Sequence, residues 1–195
     1  MEDRIKELLA RAENIQNEIM LELQKRQEQL YYYIKQKRIL FEPEVKRLHR
    51  ELVMPLHQYL REAKLSNILT APIIWFCAVP AVFIDLVVSL YMHVCFPVYG
   101  IPKVKRSEYI IIDHQYLAYL NIVEKINCVF CGYFNGVINY VQEVAARTEQ
   151  HWCPIKHAHA LKTLHSRYAN FLDYGDAEKY RSELKKIRQA YDDLH

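Results

Sequence analysis

From Ile68 to Phe96 the chain reads ILTAPIIWFCAVPAVFIDLVVSLYMHVCF, and Asp85 is its only formal charge. Nothing else in the sequence limits the fold as strongly. Spanning a bilayer core takes about 20 apolar residues, more than the apolar run of an ordinary core helix. The expectation is a membrane anchor over residues 66–97. Pro72 and Pro80 interrupt it, each removing a backbone donor and crowding the preceding turn. Asp85 sits near its middle, where a carboxylate is costly. Basic residues flank both ends: Arg47, Arg50, Arg61 and Lys64 before, Lys103, Lys105 and Arg106 after.

Two geometries follow. One is a single kinked span, with the two ends of the chain on opposite sides. The other is a re-entrant hairpin that turns at Pro80, with limbs 68–79 and 81–96. Symmetric basic flanks are what the hairpin predicts, because both then stay on one side. A pair of core helices in a water-soluble protein is the plain alternative. Asp85 has a plain reading too, pairing with His93 or capping a broken helix.

The rest of the chain is charged and glycine-poor. Only 4 glycines among 195 residues favour helices over a turn-rich β fold. The expected class is all-α: a helical arm over residues 1–65, the anchor, and a compact helical domain over 98–195. A net charge of +3 is too weak and too dispersed to suggest nucleic acid. No Gly-rich phosphate loop and no G-x-S-x-G elbow is present. The first fifty residues lack the apolar core of a secretory signal, so the thiols are expected in a reducing compartment.

In the arm, Ile5, Leu8, Ala12, Ile15 and Ile19 recur by threes and fours, a coiled-coil seam. The seam falters at Glu22 and Arg26, and Leu23, Leu30 and Ile34 carry the stripe on. The expectation is one helix over 2–41, suited to a second copy or a partner protein, or else packed on the chain's own C-terminal domain. The run Tyr31-Tyr32-Tyr33 with Lys35, Lys37 and Arg38 also suits a membrane surface. Glu42-Pro43 ends the helix. An amphipathic helix follows over 44–65, with a kink at Pro55.

Beyond the anchor, residues 107–112 read as a brief extended run, and helical patterns follow over about 115–130 and 137–150. Here the thiols stand out. Cys128, Cys131 and Cys153 with His157 form C-x2-C-x21-C-x3-H, two pairs of soft ligands at short spacing. With Pro154 opening a new helix, Cys153 reads as its N-cap. The four together predict a structural zinc site, with Glu124 and Glu149 as accessory groups. An iron–sulfur cluster normally wants four thiolates. Other readings are three buried cysteines, a redox dithiol at Cys128 and Cys131, or a metal-dependent enzyme using Glu124 or Glu149 as base. Gly175 is expected to end a helix, and Asp176 to cap a last helix whose Tyr180, Leu184, Ile187 and Tyr191 face a core.

The runs CFPVYGIPKVKR, YLNIVEKINCVFCGYFNGV, ARTEQHWCPIKHA and FLDYGDAE resemble an uncharacterised family of small bacterial membrane-associated proteins with CxxC and CPxKH motifs. The resemblance covers about residues 66–180 and brings no activity with it. It implies a bacterial cytoplasmic membrane, with the soluble domain facing the cytoplasm and membrane lipid as a partner. The function expected is a membrane-anchored, metal-binding scaffold or assembly protein. A thiol oxidoreductase or metal-dependent enzyme at the membrane surface is the alternative.

Overall fold

The computed structural model describes residues 2–29, 32–35 and 38–194, with side chains described continuously from residue 41 to 194 and for most of residues 4–26. Among the described residues the chain is all-α apart from one short two-stranded antiparallel ladder. It divides into two compact units, Met1–Arg61 with Asp113–Lys125, and Glu62–Ile112 with Ile126–His195. The apolar segment therefore shares a unit with the C-terminal helices.

In the first unit, α1 (Glu2–Gln29) is held along its surface by one-turn ion pairs such as Arg11–Glu7 at 2.9 Å and Lys25–Glu22 at 3.3 Å. Its seam residues Leu8, Ile15 and Ile19 are each about half exposed. The expected helix over 2–41 stops earlier than its stripe suggested. Strands β1 (Tyr32–Lys35) and β2 (Arg38–Phe41) pair antiparallel, Tyr32 opposite Phe41 and Lys35 opposite Arg38. Aromatic and β-branched residues favour a pleated ladder. Leu30 and Tyr31 lie outside the described residues, as do the side chains of Ile5, Tyr32, Tyr33 and Ile34. Helices α2 (Pro43–Glu51) and α3 (Leu56–Glu62) follow, with Pro43 opening the first. Pro55 separates two helices here rather than kinking one.

The second unit is built on α4 (Leu65–Phe76) and α5 (Ala78–Tyr99), which form one helical run broken only at Cys77. Cys77 keeps right-handed dihedrals, φ −62° and ψ −14°, so the chain does not reverse there. Nor does it reverse at Pro80, which lies in the first turn of α5, where a missing N–H needs no partner. The hairpin geometry is thereby corrected to a continuous run with a local break. Gly100, at φ +69°, ends α5 in the left-handed conformation that a glycine adopts without strain.

From Gly100 the chain runs back along α5 as an extended strap. The Ile101 amide donates to the Phe96 carbonyl, the Val104 amide reaches Met92 Sδ, and Arg106 reaches Asp85. The extended run expected over 107–112 begins later, because residues 106–109 make one helical turn, α6 (Arg106–Tyr109), before an extended stretch from Ile110. The strap crosses the long helix α7 (Ile122–Trp152) at its glycines. A Cβ on Gly136 would lie 2.8 Å from both Ile110 Cα and the Tyr109 carbonyl oxygen, and one on Gly132 would lie 3.4 Å from the Ile111 carbonyl. These glycines admit the close approach of the strap backbone. Gly136→Ala gains about 1 kcal/mol of helix propensity but forces backbone apart, which costs about 1–3 kcal/mol. A net loss of stability is expected in urea unfolding.

Helix α7 joins the two expected helical patterns into one, and it begins later than expected, at Ile122. Asn121 sets that start. Its Oδ1 accepts from the amides of Val123 and Glu124, and Glu124 Oε2 accepts from the Asn121 amide at 2.8 Å. This reciprocal capping box satisfies otherwise orphaned donors. Asn121→Ala is expected to lower unfolding stability by about 1 kcal/mol.

Helices α5 and α7 run parallel, since Trp75 meets Asn127, Asp85 meets Tyr133, and Tyr99 meets Trp152. Met92, Phe96, Ile101, Val104, Tyr140, Val144 and Tyr191 form the core between α5, the strap, α7 and the C-terminal segment. The last helix, α8 (Ala177–Gln189), is capped by Asp176, whose carboxylate accepts from the Lys179 amide. Gly175, at φ +88°, serves the turn before α8 rather than a helix C-terminus.

Candidate functional site

The four thiol and imidazole groups of the expected zinc site are not brought together. Cys128 and Cys131 lie one turn apart on α7, and Cys153 follows its C-terminal end. A rise of 1.5 Å per residue separates Cys131 from Cys153 by about 30 Å. His157, four residues farther on, reaches at most about 14 Å from Cys153. One chain cannot close a tetrahedral site from this set. Among the described residues no three His, Cys, Asp or Glu side chains gather as a metal would require. The spacing misled because a knuckle needs a turn between its pairs, and here the intervening residues form one straight helix.

The expected N-cap at Cys153 is corrected as well. Its amide donates to the Glu149 carbonyl, so it ends a helix rather than starting one. Buried Pro154 precedes an isolated parallel bridge, Ile155 to Leu172. His157 is exposed, with its ring stacked on Tyr168 and its amide donating to Tyr168 Oη. Glu124 serves the capping box. Glu149 lies 3.2 Å from His165 Nε2. Cys128 sits two turns into α7, away from the helix N-terminus where a redox dithiol draws its reactivity.

Polar groups converge instead around Asp85. Its carboxylate is buried, and Arg106 grips it with both arms, Nε to Oδ1 at 3.0 Å and Nη2 to Oδ2 at 2.6 Å. Tyr133 Oη donates to Oδ2 at 2.9 Å, and Ser89 Oγ donates to Oδ1 at 3.4 Å. Ser89 also meets Tyr140 Oη at 3.2 Å. The partner expected for Asp85, His93, is turned away, with Nδ1 2.7 Å from the Ser89 carbonyl. A lone carboxylate in an apolar helix has to be paired or it is prohibitively costly to bury. That rule was a legible signal for a partner among the basic residues after the helix. Selecting Arg106 required the strap's path, and Tyr133 required the parallel helix pair.

A second polar cluster fixes the C-terminal segment. Arg167, 2% exposed, donates from Nε to Gln150 Oε1 and from Nη1 and Nη2 to the Asp193 carboxylate, and reaches the Ala190 carbonyl. Gln150 Nε2 donates to the Ile187 and Ala190 carbonyls. Arg147 holds Glu143 at 2.8 Å and the strap carbonyls of Pro102 and Lys103. Nearby, His151 stacks on Tyr99, and burial, followed by the Arg188 charge, holds its pKa below the ordinary histidine value of 6.5. A depressed folded-state pKa contributes stability above about pH 6.5 that is lost on acidification. An NMR titration is expected to place its midpoint below that of a free histidine.

The remaining feature is the uncovered side of α5. At 100° per residue, Asp85, Met92 and Phe96 fall on one face and are buried, while Phe83, Leu90, Val94 and Val98 fall on the opposite face and are exposed. Beside them an apolar groove of about 270 Å³ runs between α5 and α7, lined by Cys77, Pro80, Ala81 and Ile84 and by Phe134, Val137, Ile138 and Val141. Leu65–Tyr99 is one helix long and apolar enough to cross a membrane. In comparisons with family models, curated proteins and solved structures, nothing matches this chain.

Proposed function

We propose that this chain is a membrane-associated scaffold or assembly protein, held to lipid by α4 and α5 and presenting α1 to a second copy. The observation supporting it is how little protein covers the apolar run: α5 is buried along one side only, and α4 has no buried residue. Exposed Leu69, Phe76, Phe83, Leu90 and Val98 continue along the run, a far larger apolar patch than a water-soluble monomer carries. The half-exposed seam of α1 suits helix–helix pairing. The resemblance to bacterial membrane-associated proteins favours the cytoplasmic membrane, with the charged regions in the cytoplasm. A zinc clip has no part in this reading, because the helix geometry keeps its ligands apart.

Full-length protein is expected to float with phospholipid vesicles in a density gradient and to stay with them in high salt. Recovery of the protein as a lipid-free monomer would rule out the anchor. Ile15→Asp with Ile19→Asp is expected to abolish self-association while vesicle binding continues. Unchanged self-association would rule out the role given to α1.

A further inference from the structure

We propose that the helix run Leu65–Tyr99 lies in the plane of the membrane surface, its uncovered face seated in the lipid of one leaflet, rather than crossing the bilayer. This rests on the membrane reading and specifies its geometry.

The first reason is the strap. Residues 101–108 run back beside α5, Val104 level with Met92 and Arg106 level with Asp85. The strap carries Lys103, Lys105, Arg106 and Glu108, all exposed. If α5 crossed the bilayer, these charges would enter the hydrocarbon with it. Each charged side chain at the bilayer centre costs about 2.5–3.5 kcal/mol on the most lenient scale. Lying flat, the run leaves them all in water.

The second reason is the division of faces. The strap packs against the Asp85–Met92–Phe96 face of α5, and the most exposed apolar residues of that helix, Phe83, Leu90 and Val98 among them, lie away from it, whereas α4 has no buried residue. A helix that spans meets lipid around its circumference, whereas one that lies in the interface meets it along one stripe. The stripe continues from Leu65 to Val98, about 50 Å at 1.5 Å per residue. A hydrocarbon core is only about 30 Å thick. The groove between α5 and α7 opens beside this stripe, and exposed Ile138 on α7 widens the apolar floor.

The test measures depth along the stripe. Nitroxide labels are placed one at a time by L69C, F83C, L86C, L90C and V98C, in a full-length background with the five native cysteines changed to alanine. Circular dichroism confirms retained helicity, and the native protein's flotation is repeated for each variant. Bound to phosphatidylglycerol–phosphatidylcholine vesicles, all five labels are expected at one shallow depth, as read by oxygen against a polar nickel relaxant. A profile deepest at Leu86 and shallow at both ends would overturn the proposal in favour of a span. Labels immobile and reached by neither relaxant would overturn it in favour of a second copy covering the stripe. Absence of flotation by the native protein would remove the membrane reading itself, a different result from a spanning profile.

Discussion

Changing Arg167 to alanine is expected to lower the stability of the C-terminal unit by about 3 kcal/mol, with α8 the first element released. The guanidinium is 2% exposed and joins two parts of the chain distant from it in sequence: Gln150 on α7, and the segment after α8 through the Ala190 carbonyl and the Asp193 carboxylate. Truncation strands the fully buried Gln150 Oε1, which costs about 1–3 kcal/mol. It also opens a cavity beside Tyr191, whose ring lies 5.7 Å from the guanidinium carbon. Asp193 is 60% exposed and returns to water, so its lost pairing adds little. Arg167→Lys keeps the charge but not the planar fork, and is expected to recover less than half of the loss. Urea unfolding gives the magnitude, and hydrogen exchange shows whether α8 amides open first.

The same contact predicts a pH dependence. The Arg167 hydrogen bonds hold the Asp193 pKa below its ordinary value, against an opposing effect of burial. A carboxylate depressed in the folded state contributes stability above the unfolded value of about 3.9, lost as pH falls through the folded value. The native chain is therefore expected to lose stability slightly more steeply below about pH 4 than Arg167→Ala, a small difference because water screens the exposed carboxylate. Parallel acid limbs for the two would show that the pair is not coupled.

Local signals in the sequence were reliable where a short-range rule decides the outcome. The helix start next to Pro43 and the Asp176 cap on α8 both follow from rules of a few residues, while α8 itself stops at Gln189 with its stripe only half-buried. Errors arose where distant backbone decided. Nothing local in the sequence tells why glycines stand at 132 and 136, yet the strap closes against them and needs them bare. The Cys-x-x-Cys and Cys-x3-His pairs looked convergent because spacing was read without the straight helix between them. Ile34 fitted a helical stripe, yet residues 32–35 pair with residues 38–41 as a ladder. The charge cluster lay between these cases. Asp85 announced a need for a partner, but its partner depended on how far the chain runs back after Gly100.

Removing Arg106 is expected to cost more than neutralising Asp85, although both break the same ion pair. The asymmetry comes from burial: the Asp85 side chain is 8% exposed and that of Arg106 47% exposed. Arg106→Ala leaves a buried carboxylate with only the Tyr133 and Ser89 hydroxyls, and a charge stripped of its counterion inside a protein is strongly destabilising. Those two hydrogen bonds hold the loss to about 2–3 kcal/mol. Asp85→Asn frees a guanidinium that already faces water and keeps an acceptor for Tyr133, so about 1 kcal/mol is expected. The double variant should lie close to Asp85→Asn alone, because neutralising the carboxylate removes the penalty that the missing arginine creates. Chemical unfolding of the four proteins in one detergent measures the cycle. Equal losses for the two single variants would show that the carboxylate is better hydrated than its burial implies. The vesicle-bound state sharpens the same comparison. If α5 lies flat, Asp85 faces the protein and Arg106 the water, so lipid should leave the order of the variants unchanged. Were α5 to span, lipid would surround the freed Arg106 and raise the cost of Asp85→Asn towards that of Arg106→Ala.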